Sequence, residues 1–141
     1  MNVLVDTNVI LNVLTKRNDV FLHQSEEIFR YAIDEKFNGF VSSHSFPIMW
    51  YVLRKGNTED HTRHLLEMVC NIFDVVNVSK STIKQALQNR NFHDFEDCLQ
   101  DECADIVNAD YLVTCNFKDF VVAKTVVLNP GEFLEKLAIL L

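Results

Sequence analysis

The chain has 141 residues, 48% of them hydrophobic, with only 3 Gly and 2 Pro, which excludes long disordered stretches and is ample for one core, so a single domain over 1–141 is expected. A formal net charge of −7 excludes binding duplex nucleic acid chiefly by overall phosphate neutralisation, so any such contacts are local or a basic partner supplies them. No apolar stretch approaches the roughly 20 residues needed to span a bilayer, and Met1 leads into Asn2-Val3-Leu4-Val5-Asp6 without a signal-peptide pattern, so a cytoplasmic protein is expected.

Val3-Leu4-Val5 is too short an apolar run for a helix and reads as a buried strand ending at Asp6. Thr7 and Asn8 then open a helix whose Val9, Ile10, Val13 and Leu14 fall at helical spacing. After the polar break Lys16–Asp19, Ser25 to Lys36 reads as an amphipathic helix that Asn38-Gly39 ends. Phe40-Val41 is a second short strand. Ser42 and Ser43 are cap candidates for a helix reaching about Lys55, with Pro47 in its first turn. Thr58 caps a helix carrying Leu65, Met68 and Val69, and Phe73 to Val78 is a third strand. Ser79 or Ser81 caps a helix through Leu87, and Asp94 caps the next, carrying Phe95, Cys98, Leu99 and Ile106. Tyr111 to Thr114 is a fourth strand, Val121 to Leu128 contains a fifth around Thr125-Val126-Val127, and Pro130 starts a last helix ending in Leu137, Ile139, Leu140 and Leu141. That apolar tail is expected to pack on the domain or join a dimer interface.

Short buried strands alternating with helices imply a central parallel sheet of four to five strands, covered by helices on both faces. In such sheets functional groups collect beyond the carboxyl ends of the strands. Asp6 follows the first strand, Asn116 and Asp119 follow the fourth, and Asp94, Glu96 and Asp97 open the helix before it. Gathered carboxylates suit a hard cation such as Mg²⁺. Each acid also has a plainer reading. Asp94 and Asp97 serve as helix caps, Glu96 complements the helix dipole, and Asp119 caps a short turn. Asp6 is harder to explain that way, because an aspartate directly after a buried strand needs a partner. Cys70, Cys98, Cys103 and Cys115 have no zinc-site spacing and read as reduced thiols in or near the core.

Three segments carry a resemblance. Leu4-Val5-Asp6-Thr7-Asn8-Val9-Ile10-Leu11 resembles the opening of the PIN-domain nucleases. His93-Asp94-Phe95-Glu96-Asp97-Cys98-Leu99-Gln100 resembles their "DFEDALQ" segment, and residues Ala109 to Phe120 resemble their "ADYLVTRNxKDF" segment, in the family's order and spacing. The likeness is greatest to small bacterial VapC-like toxins. The resemblance implies a PIN-like α/β/α sandwich. It also implies Mg²⁺- or Mn²⁺-dependent cleavage of RNA, an antitoxin protein as partner, and a homodimer. Carried over by position, Asp6 and Asp97 hold the metal, Asp119 ligates it or orients water, and Asn116 occupies a place where many relatives carry an aspartate. Asn8 supports Asp6, and Asp94 supports the same corner.

One departure stands out. Within Ser42–Lys55, which resembles the family's "SAHxxxDIYYILRK", Ile48 replaces the acid. With Asn116 also neutral, the site loses up to two negative charges, so a second expectation is a degenerate domain that binds RNA or a protein without cleavage. His44, one turn before Ile48 on the same helix face, is a candidate to compensate for the missing acid, but a capping or surface role is the expectation. Arg54 and Lys55, with Arg63, His61 and His64, are candidates for an RNA-phosphate patch, or a solvated helix face. Trp50 and Tyr51 are expected in the core or an interface rather than stacked on bases.

Overall fold

A computed structural model describes residues 1–141. Its strands are β1 (Asn2–Val5), β2 (Asn38–Ser42), β3 (Asp74–Val76), β4 (Tyr111–Val113) and β5 (Val127–Leu128). They form one all-parallel sheet in the order β3-β2-β1-β4-β5, with Leu4 opposite Phe40 on one side and Leu112 on the other. The helices are α1 (Thr7–Thr15), α2 (Leu22–Ile33), α3 (Ser45–Leu53), α4 (Glu59–Ile72), α5 (Lys80–Gln88), α6 (Phe95–Ile106) and α7 (Pro130–Leu140), with a 3-10 turn at Phe117–Phe120.

Alternation along the strands builds two cores, because successive side chains leave opposite faces of a sheet. Val3, Val5, Val41 and Val113 face one way, into a cluster with Ile10, Ile28, Met49, Leu53, Val69 and Phe133 from α1, α2, α3, α4 and α7. Leu4 and Leu112 face the other way, onto Ala86, Cys98, Leu99, Cys103 and Ala104 of α5 and α6. The result is the expected α/β/α sandwich. All four cysteines are free thiols, but Cys70 is exposed rather than near the core.

Three boundaries differ from the sequence reading. The second helix starts at Leu22 rather than Ser25 and ends at Ile33. Asp19 causes the early start: its carboxylate accepts from the Phe21 N–H at 2.8 Å and its carbonyl from Leu22 at 3.1 Å. The helix ends without glycine. Glu35 sits at φ 55°, Lys36 donates to the Tyr31 carbonyl and Glu35 to that of Ala32, which closes a Schellman turn. Asn38 and Gly39 therefore belong to β2, where a Cβ on Gly39 would lie 2.6 Å from Phe73 Cδ1. The fifth strand is also displaced, to Val127–Leu128. Asp101, 1% exposed, accepts from the backbone N–H groups of Lys124 at 2.9 Å and Thr125 at 3.1 Å, tying that segment to α6 instead of the sheet. Lastly, neither Ser42 nor Ser43 caps α3. Ser43 Oγ accepts from Val78 N, and His44 holds the N-cap position without a side-chain cap bond.

Candidate active site

The chain leaves β1 toward β2 and β3 on one side and reaches β4 on the other, so strand order reverses between β1 and β4. Parallel sheets open a crevice at such a point, beyond the carboxyl ends of the strands. Asp6 stands there, immediately after β1, with its N–H donating to the Val113 carbonyl of β4 at 2.9 Å.

Asp6 is 2% exposed and held from three directions. Thr7 N donates to Oδ1 at 2.8 Å, while Thr114 Oγ1 at 2.7 Å and Asn8 Nδ2 at 3.1 Å donate to Oδ2. Asn8 in turn accepts from Cys115 N at 3.2 Å, and Thr114 Oγ1 accepts from Asn116 N at 3.0 Å. The ends of β1 and β4 are thus laced together through one carboxylate. No cation pairs with it within contact distance. Burial, and then the charge of Glu96, push the Asp6 carboxyl up to about 7, against the pull of Thr114, Thr7 and His44.

Asp97 enters from the first turn of α6, where Asp94 is the N-cap and accepts from Asp97 N at 3.0 Å. Its carboxyl is also pushed up to about 7, first by burial and then by the charges of Asp94, Asp6, Glu96 and Asp119. Asp94, Asp97 and Asp119 line one cleft of about 280 Å³, together with Asn91, His93 and Lys118. Asp119 is exposed on the 3-10 turn. Asn116 is exposed just before that turn, and its side chain does not line the cleft. Asp6 and Asp97 therefore share one electrostatic neighbourhood, with Asp94 and Asp119 at its open edge.

His44 and Glu96 differ from their expected roles. The His44 side chain is 16% exposed and turns inward, with Nδ1 on Ser42 Oγ and Nε2 3.3 Å from Glu96 Oε2. It neither caps α3 nor lies at the surface. Glu96 is accordingly half-buried and tied across to α3 rather than only facing a helix dipole.

A buried polar knot lies behind this corner. Thr7 Oγ1 donates to Ser45 Oγ at 2.8 Å, and Gln100 Nε2 is 3.1 Å from Thr7 Oγ1, 3.2 Å from Ser45 Oγ and 3.4 Å from His44 Nε2. Sequence reasoning assigned no role to Ser45, Gln100 or Thr114, and gave Thr7 only the opening of α1, whose N-cap is Asp6. Thr114 alone carried a signal, as a hydroxyl at the end of the strand nearest Asp6.

The positive patch lies elsewhere. Arg54 and Lys55 follow α3, roughly 15 Å along the helix from His44 at 1.5 Å per residue, and neither lines the cleft. Arg54 Nη1 donates to the Asn57 carbonyl at 2.6 Å, and Lys55 Nζ sits 4.7 Å from the centre of the Tyr51 ring. Arg63 pairs with Glu59 at 2.8 Å and covers Trp50. Tyr51 is 68% exposed, so it belongs to no core.

A family model described as the PIN domain matches residues 2–118. The chain belongs to the PIN-domain family. Solved structures share the fold at low identity. Those similar to this PIN domain include VapBC2 from Rickettsia felis bound to a DNA fragment from its promoter, at 18% identity and TM-score 0.66, covering 92% of this chain and 98% of that one. A toxin-antitoxin complex from Klebsiella pneumoniae is also 18% identical, with TM-score 0.68, covering 91% and 97%. VapC20 from Mycobacterium tuberculosis, described as a sarcin-ricin loop cleaving toxin, is 13% identical with TM-score 0.58, covering 78% and 86%. No curated protein matches the chain.

A divalent cation is the group this family implies. No three His, Cys, Asp or Glu side chains of this PIN domain are arranged to hold an ion as they stand. The donor chemistry nevertheless fits a hard cation, which commonly takes one or two carboxylates and completes its shell with water. Two carboxyls that burial and like charge both oppose are a donor set that a cation relieves.

Proposed function

We propose that this PIN domain is a metal-dependent endoribonuclease, the toxin component of a toxin–antitoxin pair, with Mg²⁺ or Mn²⁺ as cofactor, RNA as substrate and a homodimer as the working unit. The observation that carries the reading is that Asp6, directly after β1, and Asp97, in the first turn of α6, lie near enough for the charge of Asp6 to oppose ionisation of Asp97. Both are pushed up to about 7 by burial and neighbouring acids, at the switch point of a parallel sheet. The antitoxin partner is supported by the toxin–antitoxin complexes among the structures that share its fold.

In this reading Asp6 and Asp97 hold the ion, and Thr114, Asn8 and Thr7 fix the Asp6 oxygens so that little reorganises on binding. When bound, the ion polarises a phosphoryl oxygen and makes water acidic enough to attack at neutral pH. Asp119, which lines the same cleft as Asp97, would orient that water and take its proton, whereas Asn116 lies outside the cleft lining. Asp94 holds the first turn of α6 so that Asp97 points into the cleft. The test is cleavage of a labelled RNA with Mn²⁺ or Mg²⁺. Asp97→Asn is expected to lose cleavage by at least about a hundredfold, and equal cutting by both proteins refutes the assignment.

A second reading is favoured by Ile48, half-buried on α3 where the family's acid is expected, and by the lack of a ready three-ligand group. It is a degenerate domain that binds RNA or a protein without cutting. Thermal melting separates the two, because a cation that binds only the folded chain raises the midpoint. An unchanged midpoint at millimolar Mn²⁺ favours the second reading.

A further inference from the structure

Beside the acidic cleft lies a second depression of about 290 Å³, lined by Leu87, Arg90, Phe92, His93 and Phe95 among others, and His93 is shared by both. Its chemistry differs from that of its neighbour. Phe95 is 43% exposed and Leu87 61% exposed, an apolar surface in the first turn of α6 and the end of α5. Arg90, exposed between those helices, enters no ion pair, and neither does Lys118, which lines the acidic cleft. By contrast, Arg30, Arg63 and Lys124 are each engaged with acids.

We infer that this depression is a nucleobase subsite. It receives one unpaired base next to the phosphate held over the acidic cleft, with Phe95 as stacking surface and with Arg90 and Lys118 as the flanking phosphate contacts. The inference rests on the ribonuclease reading and adds to it the side chains that would hold a base. Two free cations, Lys118 in the acidic cleft and Arg90 in the depression beside it, provide local attraction where the whole chain, at −7, provides none. An aromatic face beside an arginine accepts any base by stacking, provided the base is free to leave its helix. A base locked in an A-form duplex cannot reach a pocket of this shape. The path also explains why Arg54 and Lys55 are not needed, since their cations are occupied at the far end of α3.

The test is fluorescence anisotropy with a labelled single-stranded RNA of mixed sequence, in an Asp97→Asn background with Mg²⁺ so that the probe survives. Phe95→Ala is expected to weaken binding about tenfold, while Phe95→Tyr keeps the ring and binds like its parent. Lys118→Ala and Arg90→Ala are each expected to reduce the slope of log K against log salt by about 0.7, and the Arg54→Ala/Lys55→Ala pair to leave it unchanged. A duplex of the same sequence competes at least about tenfold less well. Unchanged binding by Phe95→Ala overturns the subsite. So does equal competition by duplex, absence of RNA binding, or a Phe95→Ala effect confined to self-association in sedimentation. Cleavage by the unsubstituted protein with Mn²⁺ scores the ribonuclease reading separately. RNA cut normally while Phe95→Ala binds unchanged removes the subsite alone.

Discussion

Replacing Asp6 with asparagine isolates the cost of its buried charge. The carboxyl moves from 3.8 to about 7 on folding, a shift of about three pH units, and each unit corresponds to about 1.4 kcal/mol. The sign follows from proton counting. Between these two values the folded chain binds more protons than the unfolded chain, so stability falls as pH rises from about 4 to about 7 and is flat above. The full cost of ionised Asp6 in the metal-free protein is therefore about 4 kcal/mol at about pH 8. The amide has the same shape as the carboxylate and no charge, but it offers one acceptor oxygen where Thr7 N, Thr114 Oγ1 and Asn8 Nδ2 now use two. Losing or turning one of those bonds costs about 1–2 kcal/mol. Asp6→Asn is thus expected to stabilise the protein by about 2 kcal/mol at about pH 8 and to leave it nearly unchanged near pH 5, where only about 1.5 kcal/mol of the ionisation cost has built up and the lost hydrogen bond offsets it. Urea unfolding in EDTA, followed by the single Trp50, measures both, provided the m-value is unchanged. Equal effects at the two pH values would refute the claim that this carboxylate is strained by burial.

Two further predictions concern the scaffold. Glu35→Gly removes the left-handed strain at φ 55° in an exposed Schellman turn and is expected to raise stability by about 0.5–1 kcal/mol, read from the urea midpoint. Gly39→Ala places a methyl 2.6 Å from Phe73 Cδ1, and that ring is 2% exposed and pinned edge-on against Phe29 at 5.3 Å. A loss of about 1–3 kcal/mol is expected, and a neutral result would show that β2 and β3 can part without cost.

How much of this was legible in the sequence depended on whether the deciding interaction was local. Thr58, Ser79 and Asp94 cap their helices as their types suggest, because an N-cap is settled within three residues. Val3, Leu4 and Val5 announced a strand buried on both faces. Ser25, by contrast, was read as the first residue of its helix yet lies fully buried inside α2, since Asp19 had already started the helix upstream. The end of that helix was misplaced because a glycine was expected in the left-handed position that Glu35 takes. The displaced fifth strand was beyond local reading: Asp101, more than twenty residues away, takes the N–H groups that would have extended it. At the site, the acids could be named from wording and order. The inward turn of His44 onto Glu96 could not, because it joins residues 52 positions apart.

The plainest alternative, that these acids are only caps, fails on Asp6. It does cap α1, accepting from Thr7 N. Yet Thr58, Ser79 and Asn129 cap helices in the same chain with neutral oxygens, and a neutral residue at position 6 would supply that bond without burying a charge. The environment makes the choice costlier still. Glu96 and Asp97 add like charge, and the nearest positive influence is His44, which is engaged by Glu96. A carboxylate kept where burial and Glu96 outweigh the hydrogen bonds that favour its ionisation is strained, and strain of that kind gathers where a ligand relieves it. In the proposed reading Ile48 adds no charge of its own, so Asp6 and Asp97 are the acids that a cation would neutralise.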